Sequence, residues 1–169
     1  MSSSSLNAEA LLKQVEQDLK ALLASKERED PLMIGIHTGG VWLAERLHKA
    51  LNLNSPMGVL DISFHRDDFN HSGLSMGGQG QSSQLPVTEG RHVLLVDDVI
   101  MSGRTIRAAL NELFDYGRPA SVTLITLLDL QRRELPIQAD VTGGTLALGS
   151  DQQVKLTGPH PLELEIRQK

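Results

Sequence analysis

The sequence contains no cysteine and few aromatic residues, and these absences exclude several kinds of site. Without cysteine the chain forms no disulfide bond, uses no thiol nucleophile and offers no thiolate to a metal ion. Aromatic residues make up 3% of the chain, which argues against a stacking platform for single-stranded nucleic acid. The formal net charge of −5 argues against a general polyanion binder, although it is compatible with a basic patch on one face.

Long apolar runs are absent as well. No segment approaches the roughly 18 to 20 apolar residues that cross a bilayer. The first residues, MSSSSLNAEALLKQ, have neither the basic nor the apolar part of a signal peptide. We therefore expect a soluble, cytoplasmic protein. With 169 residues, of which 40% are hydrophobic, the chain is expected to fold as one domain over residues 1–169.

Apolar residues alternate between helical and strand-like spacing along the chain. The spacing predicts helices at 7–24, 41–51 and 105–117, strands at 32–36, 57–66, 92–98 and 120–129, and weaker strands at 140–147 and 153–157. Gly117 is expected to end the third helix. This alternation indicates an α/β fold with a mostly parallel central sheet flanked by helices. A long segment rich in Gly, Ser, Gln and Asn, residues 67–86, is typical of a lid or a disordered loop.

The segment DDVIMSGRT, residues 97–105, joins a predicted strand to a predicted helix, at the edge where parallel sheets bind ligands. Its backbone N–H groups and hydroxyls can bind a phosphate at the positive end of the helix. Asp97 and Asp98 would repel that phosphate, but they can accept hydrogen bonds from sugar hydroxyls or hold a hydrated Mg²⁺. A ribose 5-phosphate has a phosphate for the backbone N–H groups and hydroxyls for the two carboxylates. The alternative is a solvated acid pair beside an ordinary helix cap.

The glycine pair of HTGG lies at a second connection from a strand to a helix. Gly39 and Gly40 allow the backbone to approach a ligand closely, and their amides could bind a second phosphate. The alternative is a tight turn without a ligand. His37 is as compatible with a side chain that contacts no ligand as with a ligand contact.

The run VLLVDDVIMSGRT resembles the phosphoribosyl diphosphate (PRPP) signature of the type I phosphoribosyltransferases. That signature has four apolar residues, two acids, two apolar residues, a variable residue, Thr or Ser, Gly, any residue and Thr. Three further segments, GVLDISFHRDD, GRPASVTLITLLD and RRELPIQAD, resemble the members that combine uracil phosphoribosyltransferase activity with regulation of pyrimidine genes. The resemblance covers residues 32 to 142. It implies the type I phosphoribosyltransferase fold, with a mobile active-site loop at 67–86 and a small hood near 128–150.

The resemblance also implies roles for individual residues. Asp97 and Asp98 would bind the ribose hydroxyls and hold Mg²⁺ through water and PRPP, and Arg66 would be a further catalytic residue at the start of the mobile loop. The 5-phosphate would be bound by Val99, Ile100, Met101, Ser102, Gly103, Arg104 and Thr105. Pyrophosphate would be received by a turn that often contains a non-proline cis peptide, here His37, Thr38, Gly39 and Gly40. The hood would contact the base through Leu128, Asp129, Arg133 and Ile137.

The implied reaction converts uracil and PRPP to UMP and pyrophosphate. Mg²⁺ would neutralise the departing pyrophosphate, and a closing loop would exclude water. Relatives that regulate transcription bind the leader of pyrimidine-gene messenger RNA through a basic face of a dimer. The candidates for that contact here are Arg132, Arg133 and Lys155. A homodimer or higher homo-oligomer is also implied.

The sequence departs from the family in three segments. The turn reads HTGG where relatives have Lys-Thr-Arg-Gly, so two permanent positive charges are missing. The hood has DLQRR, residues 129–133, in place of Asp-Arg-Gly-His-Arg. Gln138 and Gly144 occupy positions where RNA-binding relatives have Arg and Lys. Two alternatives therefore stay open: a regulator that senses UMP or PRPP with little catalysis, and a purine-type phosphoribosyltransferase, which the Gly-Gly turn suggests.

Overall fold

The structure is a computed structural model that describes residues 6–28, 30–62 and 85–169. The described residues form, in chain order, α1 (Ala8–Ser25), β1 (Leu32–Ile36), α2 (Gly39–Leu51), β2 (Gly58–Leu60), β3 (His92–Ile100), α3 (Arg104–Asp115), β4 (Ser121–Asp129), β5 (Val141–Thr145), β6 (Gln152–Thr157) and β7 (Glu163–Gln168). In this part of the chain, no helix has the length and apolar character needed to span a membrane.

The central sheet contains five strands in the order β2-β1-β3-β4-β5, and every neighbouring pair is parallel. The predicted α/β fold with a mostly parallel sheet is therefore confirmed. All residues of β1 are buried, as are residues 93–97 of β3. Continuous burial of this kind is expected of strands that helices cover on both faces.

The two faces of the sheet are covered by different helices. On one face, α1 and α2 pack against strand residues such as Met33 and Leu94. On the other face, α3 packs against Ile34 and Leu95. Neighbouring strand residues thus point into opposite cores, as the pleat of a strand requires. Because α2 follows β1 and α3 follows β3, the first turns of both helices lie at the carboxyl edge of the sheet.

The ends of the helices follow local features of the sequence. The Asn7 side chain accepts a hydrogen bond of 3.0 Å from the N–H of Ala10, and so caps α1. Gly117 follows the cap residue of α3 with φ +140°, as predicted for the residue that ends this helix. The three predicted helices are confirmed to within two residues at each end.

Two predicted strands differ in length from those of the structure. The strand predicted at 57–66 is paired only over Gly58–Leu60, because Leu60 already lies opposite Ile36, the last residue of β1. Its last residues, 63–66, lie outside the described residues. By contrast, β3 continues two residues past the predicted end at 98, because it remains paired with β4 up to Ile100.

The chain ends in an antiparallel hairpin of β6 and β7, which forms a separate sheet. The weak strand signals at 140–147 and 153–157 correspond to β5 and β6, whereas β7 was not predicted. The segment predicted as the hood, near 128–150, includes β5, which pairs with β4 in the central sheet. Between these two strands, residues 130–140 form the irregular part of that segment.

Candidate active site

Asp97 and Asp98 lie near the carboxyl end of β3, and the backbone that follows each one orients its carboxylate. An oxygen of Asp97 accepts the N–H of Asp98 at 2.8 Å, and an oxygen of Asp98 accepts the N–H of Val99 at 2.8 Å. Asp97 is 7% exposed, and a carboxylate at this depth requires hydrogen-bond partners. The two carboxylates therefore have fixed orientations at the end of the strand.

The glycine pair at the start of α2 packs directly on this strand end. A Cβ atom on Gly39 would lie 2.4 Å from Oδ2 of Asp98, and one on Gly40 would lie 2.3 Å from the carbonyl oxygen of Val96. Both distances are far shorter than packed atoms permit. The peptide bond between His37 and Thr38 is cis. The absence of side chains at the two glycines therefore brings the turn against the acid pair.

A cavity of about 550 Å³ opens beside the turn and the acid pair; we refer to it as the acid cavity. It is lined by His37, Thr38, Gly39, Trp42, Asp61, Asp97, Asp98, Val99, Val154, Lys155 and Leu156. The predicted sugar-binding acids and three residues of the predicted pyrophosphate turn thus line the same space. This juxtaposition is the central feature of the site.

Five residues of the acid cavity were not predicted to lie there, among them Asp61, Trp42 and Lys155. Asp61 directly follows β2, so a strand predicted to end at Leu60 would have indicated it. Trp42 packs against the core and also lines the cavity, although it was expected only to pack. Lys155 was predicted as a nucleic-acid contact. It reaches the cavity through the C-terminal hairpin, and no local signal in the sequence indicates that contact.

The loop from Met101 to Gly103, which we refer to as the anion loop, joins β3 to α3 and presents backbone N–H groups. Gly103 precedes the helix with φ +96°, a conformation that glycine adopts at little cost. The Ser102 hydroxyl accepts the N–H of Arg104 at 3.1 Å. Within the described residues, the N–H groups of Ser102, Gly103 and Thr105 have no protein acceptor. These groups can therefore bind an anion at the positive end of α3.

The other residues predicted to bind the 5-phosphate have different surroundings. Ile100 is 1% exposed and belongs to the core, whereas Met101 is 45% exposed on the loop. Val99 lines the acid cavity. The guanidinium group of Arg104 pairs with Glu134 at 2.8 Å. The loop therefore offers a phosphate its backbone N–H groups and hydroxyls more readily than these four side chains.

Hydrogen bonds attach the segment 130–140 to this loop. The N–H of Glu134 donates to the Ser102 carbonyl at 2.9 Å. Arg133 donates to the Met101 carbonyl at 2.8 Å, and it pairs with Asp129 at 2.7 Å. The side chains of Arg133 and Asp129 are 22% and 14% exposed, so solvent screens this ion pair only in part. The position of the segment therefore depends on the position of the loop.

A second cavity, of about 400 Å³, lies on this segment; we refer to it as the hood cavity. It is lined by Asp129, Gln131, Arg133, Pro136, Ile137, Gln138 and Ala139, and so by three of the four predicted base contacts. The fourth, Leu128, is 1% exposed and packs in an apolar cluster with Leu146 and Leu148. Among the described residues, none lines both the hood cavity and the acid cavity.

The three predicted nucleic-acid contacts also have different surroundings. Arg132 donates a hydrogen bond to the Leu148 carbonyl, and Arg133 has the partners described above. Lys155 lines the acid cavity. Both guanidinium groups are therefore already engaged within the chain. Arg66 and residues 67–84 of the predicted mobile loop lie outside the described residues.

Comparison with known proteins identifies the class to which this parallel sheet and its acid pair belong. A family model described as phosphoribosyl transferase domain matches residues 2–163. A hypoxanthine phosphoribosyltransferase from Staphylococcus aureus has the same fold, with a TM-score of 0.63, 23% identity, and coverage of 83% of this chain and 76% of that chain. A hypoxanthine-guanine phosphoribosyltransferase from Bacillus anthracis gives a TM-score of 0.65, 18% identity, and coverage of 84% and 80%. At these identities the likeness concerns the fold alone.

Relatives with much higher identity identify the group more narrowly. The Bifunctional protein PyrR of Pseudomonas paraeruginosa is 60% identical over 160 residues, which cover 94% of this chain and 93% of the relative. A protein of the same name from Pseudomonas fluorescens is 57% identical over 162 residues, which cover 95% of each chain. The chain therefore belongs to the phosphoribosyl transferase family and, within it, to the Bifunctional protein PyrR group.

Proposed function

We propose that the chain transfers the phosphoribosyl group of PRPP to uracil, releasing UMP and pyrophosphate, and that it regulates pyrimidine genes. One observation carries the catalytic proposal: the acid pair and the glycine turn, residues 37–40, line one cavity, and the anion loop directly follows β3 at the same edge of the sheet. PRPP has a diol between two phosphate-bearing positions, and this arrangement matches it. Membership of the Bifunctional protein PyrR group supports a second, regulatory activity.

In this reaction the protein positions the reactants and stabilises charge. The N–H groups of Ser102, Gly103 and Thr105 bind the 5-phosphate, and Asp97 and Asp98 accept hydrogen bonds from the ribose hydroxyls. Three groups held in this way fix the anomeric carbon relative to the base, which removes much of the entropic barrier. The amides of the glycine turn face the pyrophosphate as its charge develops.

The residues present also fit Mg²⁺. Asp97 and Asp98 offer carboxylate oxygens, which suit an ion that keeps several waters and binds substrate phosphates. The described part of the chain contains no group of three or more His, Asp and Glu side chains that could hold an ion by itself. When bound with PRPP, Mg²⁺ neutralises charge on the departing pyrophosphate. Metal binding should therefore depend on PRPP.

The hood cavity is proposed to receive the base. Ile137 and Arg133 lie beside the anion loop, because a Cβ atom on Gly103 would lie 3.5 Å from atoms of each side chain. An apolar group beside hydrogen-bonding groups is a common arrangement around a flat, polar-edged ligand. Since Arg133 also contacts the Met101 carbonyl, occupation of the base site and of the phosphate site should influence each other.

A second candidate function is favoured by the turn HTGG, which carries no permanent cation. In that case the chain binds UMP or PRPP as a sensor, with little turnover. The two candidates share the ribose phosphate site and differ in the stabilisation of the leaving group.

One assay separates these candidates. The purified chain is incubated with PRPP, Mg²⁺ and a single nucleobase, and pyrophosphate release is followed. Uracil-dependent release supports the enzyme, and tight UMP binding without release supports the sensor. Release with hypoxanthine or guanine but not with uracil would refute uracil as the substrate. A chain that neither binds UMP nor releases pyrophosphate would refute the site.

We further propose that regulation acts through nucleic acid and that the chain works as a homodimer or higher oligomer. Arg132, Arg133 and Lys155 are the proposed contacts, and the two arginines would have to exchange their intrachain partners for phosphate. Binding to a pyrimidine-gene leader RNA should weaken as salt rises, because each phosphate contact releases counterions. Equal affinity for the leader and for an unrelated RNA would refute specific regulation by this route, and light scattering measures the oligomer.

A further inference from the structure

Among its described lining residues, the acid cavity has more acidic than basic side chains, although it is proposed to bind pyrophosphate. The carboxylates of Asp61, Asp97 and Asp98 line it. PRPP brings several more negative charges, and Mg²⁺ offsets only part of them. Strong binding of phosphate groups usually also uses hydrogen bonds from Arg or Lys. A cation from elsewhere in the chain would complete the site.

The glycine positions of the turn have no room for that cation. A Cβ atom on Gly39 would lie 2.4 Å from Oδ2 and 2.8 Å from Cγ of Asp98. A Cβ atom on Gly40 would meet the backbone of β3, at 2.3 Å from the Val96 carbonyl oxygen. An Arg or Lys at either position would displace the acid pair or the strand. The close packing that forms the site therefore excludes long side chains from these two positions.

Among the described residues that line the acid cavity, Lys155 is the only lysine or arginine. It is exposed in β6, and within the described chain its ammonium group has no ion-pair partner. Its cross-strand neighbour, Glu165, pairs instead with Arg167 at 2.5 Å. The ammonium group is therefore available to an anion in the cavity.

The hairpin that carries Lys155 is anchored to the body of the protein. Leu156, the next residue, is 3% exposed and belongs to the same core cluster as Trp42. Leu162, after β6, is also 3% exposed, and its N–H donates to the Glu9 carboxylate at 3.3 Å. These contacts fix the backbone of Lys155 beside the cavity, so less ordering is needed when its side chain binds a ligand.

We infer that Lys155 binds the pyrophosphate group of PRPP in the acid cavity and supplies positive charge that the turn HTGG lacks. The inference rests on the proposed function and adds a specific ligand contact to it. It also predicts that Lys155 contributes to the binding of one ligand of this site but not to that of another. PRPP carries the pyrophosphate group, whereas UMP occupies the ribose and 5-phosphate positions without it.

The test measures dissociation constants by titration calorimetry for PRPP with Mg²⁺ and for UMP. In Lys155→Met, PRPP affinity should fall about 10- to 100-fold, the range expected for one hydrogen bond between charged groups. UMP affinity should stay within about two-fold, because UMP lacks the group that Lys155 binds. Lys155→Arg should restore most of the PRPP affinity. The control, Lys13→Met on α1, removes the same charge outside the acid cavity and should change neither constant.

Two results would overturn the inference. The first is PRPP affinity in Lys155→Met equal to that of the unmodified chain. The second is an equal loss of PRPP and UMP affinity in a variant with unchanged thermal unfolding, which would assign Lys155 to the ribose phosphate or to the base. Failure of the unmodified chain to bind either ligand would instead refute the proposed function, and that result is obtained before any variant is compared.

Discussion

Replacement of Gly39 by alanine tests whether the glycine turn determines the position of Asp98. The new Cβ atom would lie 2.4 Å from Oδ2, 2.8 Å from Cγ and 3.0 Å from Cβ of Asp98, so its three nearest contacts are all with one side chain. Carbon atoms pack best at about 3.5 to 4.0 Å, and the carboxylate must therefore move by about 1 Å. That movement would break the 2.8 Å hydrogen bond from the N–H of Val99 and turn the carboxylate away from the proposed diol site.

The effect on binding should exceed the effect on stability. Loss of the hydrogen bond costs about 0.5 to 1.5 kcal/mol, whereas alanine in place of glycine in a helix returns about 0.5 to 1 kcal/mol. The free energy of unfolding should therefore change by less than about 1 kcal/mol. A displaced carboxylate loses about 1.5 to 3 kcal/mol of hydrogen bonding to the ligand, so UMP affinity should fall about 10- to 100-fold.

The matched control is Gly40→Ala, which changes the next residue of the same turn. Its Cβ atom would lie 2.3 Å from the Val96 carbonyl oxygen and 3.0 Å from Cα of Asp97, and a strand backbone cannot rotate away as a side chain can. The expected cost is about 1 to 3 kcal/mol of stability, which lowers Tm by about 2 to 4 °C for each kcal/mol. Calorimetric titration with UMP and thermal unfolding are measured on both variants. A Gly39→Ala protein with unchanged UMP affinity and unchanged Tm would refute the reasoning.

Three further predictions concern the acids, the hood and a surface ion pair. Asp97→Asn combined with Asp98→Asn should abolish UMP and PRPP binding in calorimetry and leave the circular dichroism spectrum unchanged, because asparagine keeps an acceptor oxygen for the backbone N–H; unchanged affinity would mean that the acids bind no ligand. Arg133→Met should lower stability by about 1 to 3 kcal/mol, because it leaves the largely buried Asp129 without its ion-pair partner; an unchanged Tm would contradict this. The hydrogen bond from Arg46 lowers the pKa of Glu9 below its ordinary value of 4.5. The ion pair therefore stabilises the fold at pH values above 4.5, and this stabilisation is lost as the pH falls through the lowered pKa. Because the Glu9 side chain is 43% exposed, Glu9→Gln should cost less than about 1 kcal/mol at pH 7, and the difference in Tm should vanish in acid; a difference that grows as the pH falls would contradict the assignment.

The parts of the fold and site that depend on local sequence were predictable. The acid pair and the anion loop follow one another along the chain, so an apolar strand, two acids and a Ser-Gly turn into a helix are enough to indicate them. The parallel sheet follows from the alternation of strands and helices. The end of β2 was not predictable in the same way, because it is set by the length of its neighbour β1 rather than by its own residues.

Contacts between distant segments account for what the sequence left open. The pairing of Arg133 with Asp129 and its bond to the Met101 carbonyl depend on how the segment 130–140 folds over the loop, and no spacing rule specifies that. The approach of Lys155 to the acid cavity depends on a hairpin whose second strand was not predicted, although the alternation of Leu162, Leu164 and Ile166 carried a weak signal for it.

Contacts with distant residues give a physical reason for the glycines of the turn HTGG. In the sequence it differs from its family mainly by the loss of two positive charges. In the structure the same glycines touch Asp98 and the backbone of β3, so bulkier side chains could not occupy their positions without displacing the acid pair. Close packing on Asp98 therefore accounts for the charge that is missing at Gly39, whereas the second charge is missing at His37, which is not a glycine. Because Lys155 lines the same cavity from another strand, the loss of charge is compatible with a site that still binds pyrophosphate.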